Sequence, residues 1–154
     1  MNGKIIQVLL VEDNPDHAEL LRRNLESLLS PVQLHQVADG EAALDYLFGR
    51  NHFGDRAQFP LPDVVFLDWR LPRLDGVEVL RQLKSHPETA HLPVVVLTTS
   101  DAARDLETAI KLRADQFLTK PADVAALQKL FLSLGFQSFN PTVSRPAPTG
   151  ISPT

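Results

Sequence analysis

Carboxylates, hydroxyls and a lysine close the apolar runs of this chain: Glu12-Asp13 after 5–11, Asp68 after 64–67, Thr98-Thr99 after 94–97, and Thr119-Lys120-Pro121 after 117–118. Acids gathered with one cation and a hydroxyl suit the chemistry of a metal ion and a phosphoryl group. Two carboxylates about 4 Å apart repel by roughly 4 kcal/mol at an effective dielectric of about 20. A third makes the set seek a cation or a proton. Mg²⁺ takes oxygen ligands octahedrally, keeps waters, and needs only a few carboxylates beside phosphate oxygens. Asp13 and Asp68 then suit direct ligation, and Glu12, one bond longer, suits holding a coordinated water. Asp68 is placed to attack an activated phosphoryl donor, as carboxylate nucleophiles do. Lys120 and the metal would share the charge of the equatorial oxygens, while the Thr98 hydroxyl donates to one of them.

Each residue also has a plainer reading. Glu12-Asp13 could be a solvated pair ending a strand, Asp68 a cap on the next turn, Lys120 a snorkelling side chain, and Thr98 a satisfied strand end. The plain readings require four independent coincidences at one place, and the joint pattern outweighs them. His17, His35, His52, His86 and His91 have no metal-ligand spacing and read as surface residues. Trp69 reads as apolar packing beside the site, and so as an optical probe of it. Asp63, Asp75 and Asp101 read as turn or cap residues.

Convergence of these groups requires that the runs before them lie side by side. Residues 5–11, 64–67, 94–97 and 117–118 are near-continuous apolar runs, as strands buried on both faces of a parallel sheet must be. Residues 32–37 partly alternate, as an edge strand does. Amphipathic stretches at 15–29, 41–48, 77–84, 102–112 and 124–134 alternate with them, the first with Asn14 as cap and Pro15 at its first position, the fourth following Asp101, the last stopping at Gly135. Five strands alternating with five helices imply an α/β fold with a doubly wound five-stranded parallel sheet and right-handed crossovers. In such sheets ligands bind beyond the carboxyl ends of the strands, which is where the acids, Thr98 and Lys120 fall.

The 154 residues suit one domain. Lys plus Arg is 15 against 19 for Asp plus Glu, a net charge of −4, which argues against a nucleic-acid partner. There is no cysteine, so disulfide, thiolate and zinc-thiolate chemistry is excluded. No apolar stretch approaches a membrane span or an export signal, so a cytoplasmic location is expected. Residues 50–62 form a long connection with Gly54, Pro60 and Pro62, either a surface loop or an interaction arm. The Pro-, Ser- and Thr-rich stretch 138–154 reads as a disordered tail behind a domain at 1–137.

The sequence resembles a known family. Val-Glu-Asp-Asn at 11–14, Leu-Asp-Trp-Arg-Leu-Pro at 67–72 with Asp75-Gly76, Leu-Thr-Thr-Ser at 97–100 and Thr-Lys-Pro at 119–121 are similar to the receiver domains of two-component response regulators. The resemblance implies a flavodoxin-like strand order 2-1-3-4-5 and an Asp68 that takes phosphate from the phosphohistidine of a sensor histidine kinase. It implies a metal pocket of Glu12, Asp13, Asp68 and the Arg70 carbonyl, a switch pair Thr98 and Phe117, and a cis Lys120–Pro121 bond. Glu12-Asp13-Asn14-Pro15, Asp45-Tyr46-Leu47, the 50–62 loop and the 95–100 run are similar to single-domain regulators that partner bacterial phytochromes. That likeness implies a phytochrome kinase as partner and a homodimer, with Phe131, Phe136 and Phe139 suited to support it if Phe131 is not simply core.

Some positions depart from the family pattern. Arg113 stands where many receivers have Gly, which puts the loop geometry there in question. Phe117 has no hydroxyl. Arg70 and Ser100 occupy the variable positions flanking the phosphoryl group, and a bulky Arg70 is expected to obstruct attacking water.

Among rivals, an aspartate-nucleophile phosphohydrolase needs an Asp-x-Asp pair after the first strand, and a flavin binder needs a Ser/Thr/Gly-rich loop there. Here the first strand gives Glu12-Asp13 with the lone acid after the third, and Asn14-Pro15-Asp16-His17 is no such loop. A receiver that acts by binding alone, without phosphorylation, is the remaining alternative.

Overall fold

Strands with no polar face demand cover on both sides, and the fold supplies it. The computed structural model describes residues 5–29, 31–99 and 103–136, with 103–106 described in backbone only. Strands β1 (Ile6–Val11), β2 (Val32–Val37), β3 (Val64–Asp68), β4 (Val94–Thr98) and β5 (Gln116–Thr119) form one parallel sheet in the order β2-β1-β3-β4-β5. That is the expected flavodoxin-like order. Within β1, Leu9 and Val11 point into one core with Val65, Leu67 and Val96, while Val8 and Leu10 point into another with Val64, Phe66 and Val95. Helices α2 (Gly40–Phe48) and α3 (Gly76–Ser85) seal the first core through Leu44, Leu47, Val79 and Leu83. Helices α1 (Pro15–Leu28) and α5 (Val124–Ser133) seal the second through Leu21, Leu25, Leu127 and Phe131. Helix α4 (Ala103–Lys111) leads into β5.

The caps set where each helix begins. Asn14 Oδ1 accepts from the Asp16 and His17 N–H groups, with Pro15 at the first helical position. Asp39 and Asp75 cap α2 and α3, which start at Gly40 and Gly76, one residue before the apolar periodicity. The expected Asp101 cap, Ser100, Phe139 and the 138–154 tail lie outside the described residues.

The 50–62 connection is a surface loop held down by specific bonds. After a single 3-10 turn at Asn51–Phe53, the Arg56 guanidinium donates to the carbonyls of Tyr46, Leu47 and Phe59 at 2.8–3.1 Å. It thereby satisfies the Leu47 carbonyl, which the end of α2 leaves open, and adds a donor to that of Tyr46, which also accepts the Gly49 N–H. The Tyr46 hydroxyl donates to the Pro60 carbonyl at 2.9 Å, and the Tyr46, Phe53 and Phe59 rings pack at centroid distances of 5.0–5.9 Å. His35 is not the surface residue its spacing suggests: its ring lies 5.6 Å from Tyr46, and burial holds its pKa below the ordinary value.

Two further features anchor the opposite end of the sheet. The buried Lys84 ammonium donates to the carbonyls of Ala90 and Leu92 and to Asp115 Oδ2 at 3.0–3.1 Å. Arg113 takes the left-handed conformation, φ 68°, in the place where glycine is common. Its N–H donates to Ile110 O and the Ala114 N–H to Ala109 O, the bond pattern that ends a helix through a left-handed residue. The departure in sequence therefore leaves the loop geometry intact. Phe131 is wholly buried in the core, and Phe136 packs edge-on against it at 5.0 Å, which settles Phe131 as core. Among the described residues no helix is long and apolar enough to cross a membrane.

Candidate functional site

The two central strands deliver the acids. Val11 and Leu67 are level in the sheet, so Glu12 and Asp68, which follow them, emerge side by side at the carboxyl rim. Glu12 is buried, its N–H donating to Val37 O at 3.0 Å and its carboxylate accepting the Asn14 N–H at 3.1 Å. Asp13 beside it is exposed. Asp68 is 6% exposed, and its Oδ1 accepts the Arg70 N–H at 3.2 Å. Glu12, Asp13 and Asp68 each offer one oxygen within 4.8 Å of the others.

Lys120 reaches this cluster from beyond β5. Its backbone N–H donates to the Thr98 carbonyl at 2.8 Å, and the bond to Pro121 is cis. The side chain is 11% exposed, and its ammonium donates to Asp68 Oδ2 at 3.1 Å and ion-pairs with Glu12. A third contact was not foreseen: His17 Nδ1, from the first turn of α1, lies 3.2 Å from the same ammonium.

Three carboxylates thus face one ammonium, an excess of two negative charges. Burial pushes the Asp68 carboxyl above the ordinary aspartate range; the Lys120 charge opposes this and the Glu12 charge adds to it, with the Arg70 N–H pulling it down. A divalent cation would offset both burial and repulsion, and the donors are hard oxygens of the kind Mg²⁺ and Mn²⁺ accept.

The acid-bearing turn is shaped by Gly76. A Cβ built there would stand 2.5 Å from Asp68 O and 2.9 Å from Trp69 Cα, so the first residue of α3 can lie against the acceptor strand only without a side chain. Trp69 is 2% exposed, and its N–H donates to Leu97 O at 2.9 Å. Thr98 closes β4 level with Thr119 of β5. Phe117, two residues earlier on β5, is 36% exposed, on the open side of the strand.

Known proteins resemble the chain as a whole. The family model for the response regulator receiver domain matches residues 8–131. The chain belongs to the response regulator receiver family. Among curated relatives of this receiver, the probable methanogenesis regulatory protein FilR2 of Methanothrix harundinacea is 43% identical over 122 residues, covering 79% of this chain and 76% of the relative. Response regulator Rcp1 of Synechocystis is 35% identical over 141 residues, covering 91% and 92%. Its Mn²⁺-bound crystal structure superposes with a TM-score of 0.70 at 33% identity, over 81% of this chain and 88% of that one. The bacteriophytochrome response regulator AtBRR superposes with a TM-score of 0.77 at 36% identity, over 88% and 96%. The receiver is therefore related to phytochrome response regulators in sequence and in structure.

Of the residues expected at the receiver's site, the structure brings Glu12, Asp13, Asp68 and Lys120 together and sets Thr98 at their border. Arg70 meets the cluster through its N–H. Phe117 lies outside it. His17 and Gly76 were missed as site residues. A signal existed for His17: the helix that opens directly after Glu12-Asp13 must start over the same rim, so its first turn belongs to the site.

Proposed function

We propose that this receiver is a stand-alone response regulator that accepts a phosphoryl group on Asp68 from a histidine kinase in a Mg²⁺-dependent reaction. The observation that carries the proposal is the juxtaposition at the rim of three clustered carboxylates with the Lys120 ammonium, 3.1 Å from Asp68 Oδ2. Glu12, Asp13 and Asp68, with the Arg70 carbonyl as the family pattern implies, would hold the ion. When bound, it supplies positive charge to the phosphoryl oxygens. Asp68 forms the new O–P bond as the P–N bond of a phosphohistidine breaks, and the departing imidazole takes up a proton. Lys120 holds an equatorial oxygen, and the Thr98 hydroxyl donates to another.

The switch is the one the family resemblance implies. Thr98 is drawn toward the phosphoryl group and the Phe117 ring moves inward from its outer position, changing the surface that a second copy or a target reads. Likeness to AtBRR, a bacteriophytochrome response regulator, supports a bacteriophytochrome as the kinase, and a homodimer is the working form that the sequence resemblance implies. Arg70 is assigned the role of slowing hydrolysis by covering the phosphoryl group. A dephosphorylation rate unchanged in Arg70→Ala would remove that role.

Trp69 fluorescence provides the test. The signal should change with millimolar Mg²⁺, and again with beryllofluoride or acetyl phosphate in the wild type but not in Asp68→Asn. Absence of any metal response would favour binding without phosphorylation. Steady phosphate release from assorted monoesters would favour a hydrolase instead.

A further inference from the structure

An ammonium carries three N–H groups, and three acceptors surround that of Lys120: Asp68 Oδ2 at 3.1 Å, a Glu12 oxygen, and His17 Nδ1 at 3.2 Å. A charged lysine only donates, so in this 3.2 Å contact the His17 Nδ1 is the acceptor. The acceptors are not equivalent. Asp68 and Glu12 belong to the carboxylate cluster that a metal and a phosphoryl group would claim. His17 stands outside it, with its nearest carboxylate oxygen, Glu12 Oε2, at 3.9 Å.

The backbone that carries the ring is fixed independently of Lys120. His17 is the third residue of α1, and its N–H donates to Asn14 Oδ1 at 3.1 Å. With Leu20, Leu21, Pro121 and Ala122 it lines a cavity of about 240 Å³ beside Lys120. A lysine stem has four rotatable bonds and no preferred direction of its own. When the charges around Asp68 rearrange, its aim depends on any acceptor that does not change.

We propose that His17 is a positioning residue: it fixes the Lys120 ammonium from outside the acid cluster, so that one N–H stays anchored while another passes from Asp68 to the phosphoryl oxygen. The inference rests on the proposed phosphoacceptor function and extends it to a residue of α1.

The test uses the full chain with His17→Ala and His17→Asn, since the asparagine Oδ1 falls near the place of Nδ1 and keeps the acceptor. Mg²⁺ affinity is measured first by Trp69 fluorescence, then beryllofluoride affinity and the acetyl phosphate reaction rate at saturating Mg²⁺. In His17→Ala, loss of one half-exposed hydrogen bond, of ordinary net strength, should weaken beryllofluoride binding and slow the reaction by about threefold to tenfold, with Mg²⁺ affinity within about twofold of wild type. His17→Asn should restore both. Mimic affinity equal to wild type in His17→Ala overturns the proposal. So does a deficit that asparagine does not repair, or a parallel fall in Mg²⁺ affinity, the mark of general disruption. If the wild type itself ignores beryllofluoride, the phosphoacceptor function falls and the role of His17 with it; if only the variants match wild type, the inference about His17 falls alone.

Discussion

Lys120, just beyond β5, and Asp68, at the end of β3, form an ion pair across β4, Nζ to Oδ2 at 3.1 Å, between two largely buried side chains. The pair does not neutralise its surroundings, because Glu12 and Asp13 add two more carboxylates. Burial, with Glu12 adding to it, holds the Asp68 carboxyl above its ordinary value of 3.8 despite Lys120.

The sign of the consequence follows. A carboxyl whose folded value is raised favours folding in its protonated form; that contribution is complete below pH 3.8 and is lost as pH rises through the folded value. Ionising Asp68 therefore opposes folding of the metal-free protein as pH rises toward neutral. Asp68→Asn should raise the metal-free melting temperature at pH 7, by about 2–4 °C if the gain is about 1 kcal/mol. The difference should shrink as pH falls toward 3.8, and millimolar Mg²⁺ should stabilise the wild type more than the variant. Thermal melts across pH, with and without Mg²⁺, check all three. A variant less stable than wild type at pH 7 without metal would contradict the repulsion account.

Tyr46 sets the alkaline limit. Burial pushes its phenol up to about 12 from 10.0, with the Arg56 charge pulling the other way, and its hydroxyl donates to Pro60 O at 2.9 Å. The neutral phenol contributes stability fully present below pH 10 and lost as pH rises to about 12. A two-unit displacement corresponds to about 2–3 kcal/mol at most. Tyr46→Phe should cost about 1 kcal/mol at neutral pH through the lost hydrogen bond, and its stability curve should approach and cross that of wild type above pH 10 in urea titrations. Parallel curves would show that the phenol remains solvated.

Gly76 admits no side chain. A Cβ at this position would meet Asp68 O at 2.5 Å and Trp69 Cα at 2.9 Å, and both are backbone atoms, which cannot swing aside as a side chain can. Gly76→Ala should destabilise by about 1–3 kcal/mol and shift the acceptor turn, so that Mg²⁺ affinity falls as well. Calorimetry and metal titration of the same sample check both effects. An alanine variant with wild-type stability and metal affinity would mean that α3 can retreat from the rim.

The elements were legible where burial alone dictated sequence. The central strands β1, β3 and β4 lie between two helix layers, so their apolar runs end where the site begins, and Asp68, Thr98 and Glu12 could be placed by counting. Strand β5, at the sheet edge with Gln116 and Thr119 exposed or half-exposed, is longer than its apolar pair suggested. Helices α2 and α3 start at glycines because the preceding Asp39 and Asp75 cap them, and a cap outweighs the poor helix propensity of one residue. What stayed hidden depends on contacts between distant segments. His17 meets Lys120 across 103 positions, and Lys84 meets Asp115 across 31. Arg56, which composition alone marks as a solvated charge, closes the end of α2 because the chain doubles back after Gly54. No local pattern records such meetings.

Arg113 offers the most direct measure of how this receiver tolerates a departure from the family pattern. Its backbone is left-handed, φ 68°, a conformation that costs a residue with a Cβ about 1–2 kcal/mol. Its guanidinium donates to the Lys84 carbonyl at 3.0 Å, tying the end of α4 to the end of α3. Arg113→Ala keeps the strain and loses the bond, and should destabilise by about 1 kcal/mol. Arg113→Gly loses the same bond but relieves the strain, so it should be more stable than the alanine variant by about 1 kcal/mol. Urea midpoints of the three proteins, compared at equal slope, decide the matter. If glycine and alanine prove equally stable, the left-handed residue carries no strain there, and the tie to Lys84 alone accounts for what Arg113 contributes.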